Sequence, residues 1–177
     1  PDAEMNTCAN ALDRHVEGGR ADQPALIYDS PVTGSKRTYT YGELGERVNR
    51  CANALTALGL SPEQRVLLCH LDGIDFPAAF LGAIKAGIVP IAANTLLTTN
   101  DYDYMLRDSR ARALIVSAAL LPAFAPLLGR HPHLAHVIVS GAADAAAPPH
   151  RSLAVLTAAA AASFAPAETT CDDACFW

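Results

Sequence analysis

The 177-residue sequence has no apolar run approaching the roughly 20 residues that a membrane-spanning helix needs. It also lacks a basic surplus: 13 Lys and Arg against 18 Asp and Glu leave a net charge of −5. That balance argues against a nucleic-acid partner, because a phosphate backbone demands a basic face. The first residues, PDAEMNTCAN, lack the basic start and apolar stretch of a secretory signal. The five cysteines, at 8, 51, 69, 171 and 175, are odd in number and fall mostly in apolar segments. Buried, reduced thiols in a cytoplasmic protein are therefore expected. Cys171 and Cys175 stand four apart with no second ligand pair, which argues against a zinc site. Charge is scarce, at 18% against 51% hydrophobic residues, so part of the surface is expected to be covered by something else.

What is present is a series of helix and strand signals organised around residues 75–97, DFPAAFLGAIKAGIVPIAANTLL. Asp75 is suited to cap a helix whose apolar face, Phe76, Ala79, Phe80, Ala83 and Ala86, is unusually small. Gly82 and Ala83 are expected to lie against a sheet, and Lys85, opposite that face, in solvent. Gly87 ends the helix in a left-handed conformation. Residues 88–93 then form a buried strand, placed at a sheet edge because Pro90 removes a ladder donor.

Before that unit, Asn6 or Thr7 caps a first helix that stops at Gly18-Gly19. Residues 25–29 and 37–41 read as a hairpin. Gly34-Ser35-Lys36 resembles the tail of a phosphate loop, but the preceding glycine of G-x-x-x-x-G-K is missing, and a hairpin turn explains it. Thr40 and Glu43 make a capping box for a helix with a buried stripe of Leu44, Val48, Cys51, Leu55 and Leu58, ended by Gly59. Residues 65–71 form the next strand; His70 at its end is expected to be a hydrogen-bonded, partly buried histidine rather than a base.

After the central unit, residues 98–101 carry a cap signal for a helix with Tyr102, Met105 and Leu106. Asp101 and Asp103 match a metal-binding D-x-D, yet the helix dipole explains carboxylates in a first turn. Strands are expected at 113–117 and 136–140, with a helix at 120–128 between them. His131, His133 and His136 have no carboxylate or thiol near in sequence to complete a metal shell. Residues 142–149 form a low-complexity loop, 152–164 an alanine-rich helix, and 174–177 the start of a core strand. A chain that stops on Phe-Trp within a strand is expected to be a piece of a longer protein.

The stretches TYGEL (40–44) and LGAIKAGIVPIAAN (81–94), in this order and spacing, resemble two motifs of the adenylate-forming superfamily, in particular AMP-forming acyl- and aryl-CoA synthetases. Further stretches, including NALDRHVEGGRADQPALIYDS and DYDYMLRDSRARALIVS, are most similar to the bacterial benzoate–CoA ligases. The resemblance covers nearly all of the sequence and corresponds to the N-terminal third or so of such an enzyme. It implies ATP-dependent activation of an aromatic carboxylic acid to an acyl-adenylate and then a CoA thioester, with ATP, Mg2+ and coenzyme A as cofactors.

The resemblance further implies an α/β fold: a mostly parallel sheet with helices on both faces and a small β-hairpin, the incomplete first subdomain of a large adenylate-forming domain. Residues 1–60 would supply the first helix, hairpin and capped helix, 61–141 the βα repeats, and 142–177 the loop, helix and strand leading to the phosphate loop. That loop is not in the sequence, for no glycine follows Gly141, and no catalytic residue can be assigned. Asn94 and Thr95 are the candidate binding residues, as a wall of the nucleotide or CoA approach. Some relatives place an arginine where Leu96 stands, and leucine cannot pair with phosphate. The partners expected are a small aryl carboxylate and the remainder of the chain itself. A non-catalytic α/β binding module and an amino-acid adenylation enzyme are the alternatives.

Overall fold

The computed structural model describes residues 4–31, 34–141 and 149–177, so most of the expected low-complexity loop lies outside the described residues. The four segments read as strands form one parallel sheet: β3 (Arg65–Cys69), β4 (Val89–Ala92), β5 (Ala113–Ser117) and β6 (His136–Ser140). A two-residue strand, β7 (Arg151–Ser152), extends it, and the spatial order is β4-β3-β5-β6-β7. The hairpin of β1 (Pro24–Ser30) and β2 (Ser35–Thr40) is antiparallel and separate, with Ile27 opposite Thr38.

Two helical layers cover the sheet. Alternate residues of each buried strand point to opposite faces, and the core divides accordingly. On one face Val66, Leu68, Ala113, Ile115 and Ile138 meet α1 (Tyr41–Ala57), α2 (Asp75–Lys85) and α5 (Leu153–Ala159). On the other, Leu67, Cys69, Leu114, Val116 and Val139 meet α3 (Thr99–Ser109) and the turns around α4 (Leu121–Phe124). The opposed faces follow from the connections. The chain leaves β3 for β4 on one side, then crosses back to β5 on the other, and right-handed crossovers in opposite directions lie on opposite faces.

Local signals place most helix ends. Thr40 Oγ1 accepts the Glu43 amide at 3.2 Å and Glu43 Oε2 accepts the Thr40 amide at 2.9 Å. Thr98 and Asp101 make the same reciprocal box for α3. Asn6 begins the first helix, its Oδ1 accepting the Cys8 and Ala9 amides at 3.1 and 3.3 Å. That helix is wound as π-helix over Ala9–Asp13 and Val16–Arg20, and it turns left-handed at Gly19, φ 77°.

Several expectations need correction. Asp75 does not cap α2: Ile74 holds the N-cap position, and the Asp75 carboxylate instead accepts Ser140 Oγ at 2.7 Å. Residues 120–128 are not one helix but two 3-10 turns flanking the four-residue α4. Pro122 and Pro126 each remove a backbone donor, so the helical ladder cannot propagate. The alanine-rich helix stops at Ala159 rather than Phe164. The carbonyls of residues 160–163 are taken by side chains of α1: Arg50 Nη1 donates to Ala160 O (2.6 Å), Asn53 Nδ2 to Ala161 O (2.9 Å) and Ser163 O (2.8 Å), and Asn49 Nδ2 to Ala162 O (2.9 Å). Lys85 is not in solvent. It is 3% exposed, with Nζ 2.8 Å from Asp13 Oδ1 and 2.6 Å from Asn49 Oδ1.

Candidate functional site

In an open α/β sheet, ligands bind outside the carboxyl ends of the strands where the strand order reverses. Here the reversal falls between β3 and β5. Beside it a cleft of about 370 Å3 is lined by Tyr28, Tyr39, His70, Asp72, Ser117 and Ser140, among others. Its two serines and its histidine are committed. Ser117 Oγ accepts the Leu71 amide at 2.9 Å, and Ser140 Oγ donates to Asp75. His70 Nδ1 lies 2.7 Å from Leu71 O, which sets the proton on Nδ1, while Nε2 is shielded from solvent. A shielded acceptor cannot take a proton from a ligand in the cleft, so His70 is the strand-end histidine expected from its position. No Lys or Arg lines the cleft among the described residues, and Asp72 and Asp75 make it acidic. It is unsuited to a triphosphate.

Asn94 and Thr95 stand at the same carboxyl edge, in the turn after β4, but outside that cleft. Asn94 Oδ1 accepts the Leu96 amide at 2.9 Å, a side-chain-closed turn. Its carbonyl accepts the Tyr102 hydroxyl at 2.8 Å, which ties the turn to α3. Tyr102 is fixed in its turn by stacking on Phe124, centroids 4.3 Å apart. Burial pushes the Tyr102 phenol up to about 12, with the Cys69 thiol beside it adding to the effect, so the phenol stays a donor to Asn94. Leu96 projects from the turn, 89% exposed.

The other residues considered from sequence have structural occupations. Lys36 lies within β2 rather than in the turn, directly opposite Asp29 of β1, and pairs with it at 2.8 Å across the exposed hairpin. Asp101 belongs to the helix cap, and its hydrogen bonds to Thr98 hold its carboxyl below the usual range. Asp103 Oδ1 lies 3.1 Å from His131 Nε2. No group of three or more His, Cys, Asp or Glu side chains is placed to hold a metal ion among the described residues. The groups that sequence reasoning missed are Asn6 and Lys85, both buried where three chain segments meet. The asparagine signal is visible as a helix cap; its long-range contacts are not.

The last residues bear on the same edge. The Trp177 amide donates to Pro90 O at 3.0 Å, and the Ala92 amide donates to Trp177 O at 3.4 Å. One residue bonded between two alternate residues of its neighbour is the parallel ladder pattern. Trp177 thus runs beside β4 and in its direction, towards the edge where Asn94 stands. Residues 174–177 are not the core strand expected, for only Trp177 bonds to β4 and both Phe176 and Trp177 are exposed.

Residues 12–176 match the family model described as AMP-binding enzyme. The chain is 52% identical to a benzoate–CoA ligase of Thauera aromatica over 97% of its length, covering 31% of that protein. Among solved structures, a benzoate CoA ligase from Burkholderia xenovorans superimposes with a TM-score of 0.78 at 42% identity, covering 98% of this chain and 32% of that one. An anthranilate CoA ligase in complex with anthranoyl-AMP gives a TM-score of 0.88 at 30% identity, covering 99% and 32%. The chain therefore spans about a third of the length of the proteins it matches.

Proposed function

The chain belongs to the AMP-binding enzyme family, and on that premise we propose that it is the N-terminal part of an aryl-CoA ligase that activates benzoate. The observation that carries this reading is the 52% identity to the Thauera enzyme across 97% of the chain. In the proposed reaction a benzoate oxygen attacks the α-phosphorus of ATP, forming benzoyl-adenylate and releasing pyrophosphate. The thiol of coenzyme A then adds to the acyl carbonyl, its proton passes to solvent, and AMP leaves to give the thioester.

The role of this span is scaffolding. Transition-state charge on a transferring phosphate needs converging donors and a cation. The described residues offer no glycine-rich loop, so in this reading the remainder of the enzyme holds the phosphates. The fixed turn after β4 supplies a surface at the carboxyl edge. There Asn94 and Thr95 form part of a wall along the nucleotide or CoA approach, with Leu96 adding an apolar, not a phosphate-binding, contact.

The test is direct. The full-length enzyme, given benzoate, ATP and Mg2+, should release pyrophosphate, and should form a thioester once coenzyme A is added. Residues 1–177 alone should do neither. A full-length protein inert towards every aryl acid, or one that exchanges pyrophosphate with amino acids instead, would remove the reading.

A further inference from the structure

The stretch from Ala160 to Trp177 crosses the molecule almost without regular structure, so its path is set by the groups that hold it. Its first part is bound to α1. Its second part is bound to the extreme N-terminal segment, at a point far from it in sequence. Asn6, 7% exposed, carries the densest contacts. Its Nδ2 lies 3.1 Å from Ile84 O, 3.3 Å from Lys85 O and 3.3 Å from Ala167 O, while its Oδ1 caps the first helix. One buried amide thereby joins the first helix, the last carbonyls of α2 and the crossing segment. Lys85 O also accepts the Ala167 amide at 2.8 Å.

Two residues on, the Met5 amide donates to Thr169 O at 2.7 Å, Thr169 Oγ1 donates back to Met5 O at 2.8 Å, and Glu4 bridges Thr170 antiparallel. Beyond this clasp the chain makes a turn closed by Asp173 on Thr170, lays Phe176 against Phe80 with centroids 5.6 Å apart, and enters the ladder beside β4 at Trp177. The side chains of Asn6, Thr169 and Asp173, with the Lys85–Ala167 and Met5–Thr169 backbone pairs, thus decide where the chain reaches the carboxyl edge of the sheet.

We propose that the Met5–Thr169 pair and Asn6 form a clasp that seats residues 170–177 against β4, making Asn6 and Thr169 positioning residues for nucleotide binding in the full-length enzyme. The inference rests on the ligase reading, because it is that reading which puts ATP at this edge. The reasoning is geometric: Trp177, registered by hydrogen bonds to Pro90 O and from the Ala92 amide, sends the next residues of the chain in a fixed direction. A clasp that loosens lets the register slip without disturbing the core.

The experiment uses the full-length enzyme with four variants. Thr169→Val removes the hydroxyl at constant shape from a half-exposed site, Thr169→Ser restores it, Asn6→Ala removes the buried amide, and Asn53→Ala removes the contacts to Ala161 O and Ser163 O, upstream of the clasp. The hydrogen bond lost in Thr169→Val should raise KM for ATP roughly threefold to tenfold with KM for benzoate unchanged, and Thr169→Ser should match wild type. Amide exchange at Ala92 and Trp177 should quicken in Thr169→Val and Asn6→Ala, with β5 and α1 unaffected, and should stay unchanged in Asn53→Ala. Unaltered KM for ATP and unaltered exchange in Thr169→Val would overturn the proposal, as would parallel losses in both substrates and in melting temperature. An inactive wild type would remove the ligase reading, while the exchange result would still decide whether the clasp holds the strand.

Discussion

A β-carbon built on Gly82 would stand 2.7 Å from the Cys51 Cβ. It would also meet Val48 O at 2.9 Å and Ala52 N at 3.1 Å, all on α1. The small face of α2 is thus divided: Gly82 admits the backbone of α1, while Ala83, fully buried, faces the sheet with Val66, Leu68 and Ile88.

Gly82→Ala should therefore destabilise the protein even though alanine is the better helix former. Two of its contacts are with backbone, which cannot swing aside, so the helices must separate at a cost of about 1–3 kcal/mol. Ala83→Leu should cost a similar amount, by overpacking against the sheet. Chemical unfolding midpoints of the two variants check both; a midpoint at the wild-type value for either would remove that packing claim.

Lys85→Met should lower stability by about 3 kcal/mol, because it leaves the Asp13 carboxylate, 16% exposed, without its partner. The pair Lys85→Met with Asp13→Leu should recover part of the loss, since no uncompensated charge remains. A double-mutant cycle in urea reads the coupling. Additive losses would mean that the two groups do not interact.

Alkaline pH should weaken the fold through buried thiols. Burial raises the Cys8 and Cys51 pKa values from the ordinary 9.0 to about 12, the nearby Asp13 and Asp75 carboxylates adding to the effect in turn. Between those values the folded state retains protons that the unfolded chain has lost. Their stabilisation is full below about pH 9 and disappears as pH climbs towards 12. Cys51→Ala should flatten this limb of the stability–pH curve. Thiol reagents at neutral pH should label the exposed Cys171 and spare Cys8, Cys51 and Cys69 until the protein unfolds.

Arg50→Leu should free the carbonyl of Ala160, held at 2.6 Å, and loosen residues 160–163 without melting α1. Limited proteolysis should then cut near residue 160 faster than in wild type while the far-ultraviolet spectrum stays the same. Unchanged cleavage would show that Asn49 and Asn53 suffice.

Elements whose signal is local are legible in the sequence, and those decided by distant partners are not. β5 and β6 occupy the residues expected of them, because ALIVS and HVIVS are short apolar runs bounded by turn residues. The two capping boxes and the left-handed Gly87, φ 70°, likewise depend on a few neighbouring residues. The alanine-rich helix is shorter than its composition suggests, because helix propensity says nothing of Arg50, Asn49 and Asn53 competing for its backbone from more than 100 residues away. Lys85 departs from expectation for the same reason: periodicity locates the face opposite the sheet, but not the first helix that covers it. Of the candidate site, the turn at Asn94 and Thr95 can be placed after its strand from sequence, whereas its anchorage through Tyr102 to α3 requires the fold.

Pro90 has a consequence for the chain's solubility while it is being made. The Val89 amide turns inward to Gln64 O, and that of Ala92 turns outward to Trp177 O, so at residue 90 the missing N–H is on the outward side. Until residue 177 is synthesised, the rim of the sheet offers an acceptor there and no donor. A strand from a neighbouring nascent molecule can find only part of a ladder on that rim, and its association is correspondingly weak. The chain's own residue 177 meets the same gap, but arrives tethered, and needs only the Pro90 carbonyl and the Ala92 amide. The proline thus favours closure within one molecule over growth between molecules.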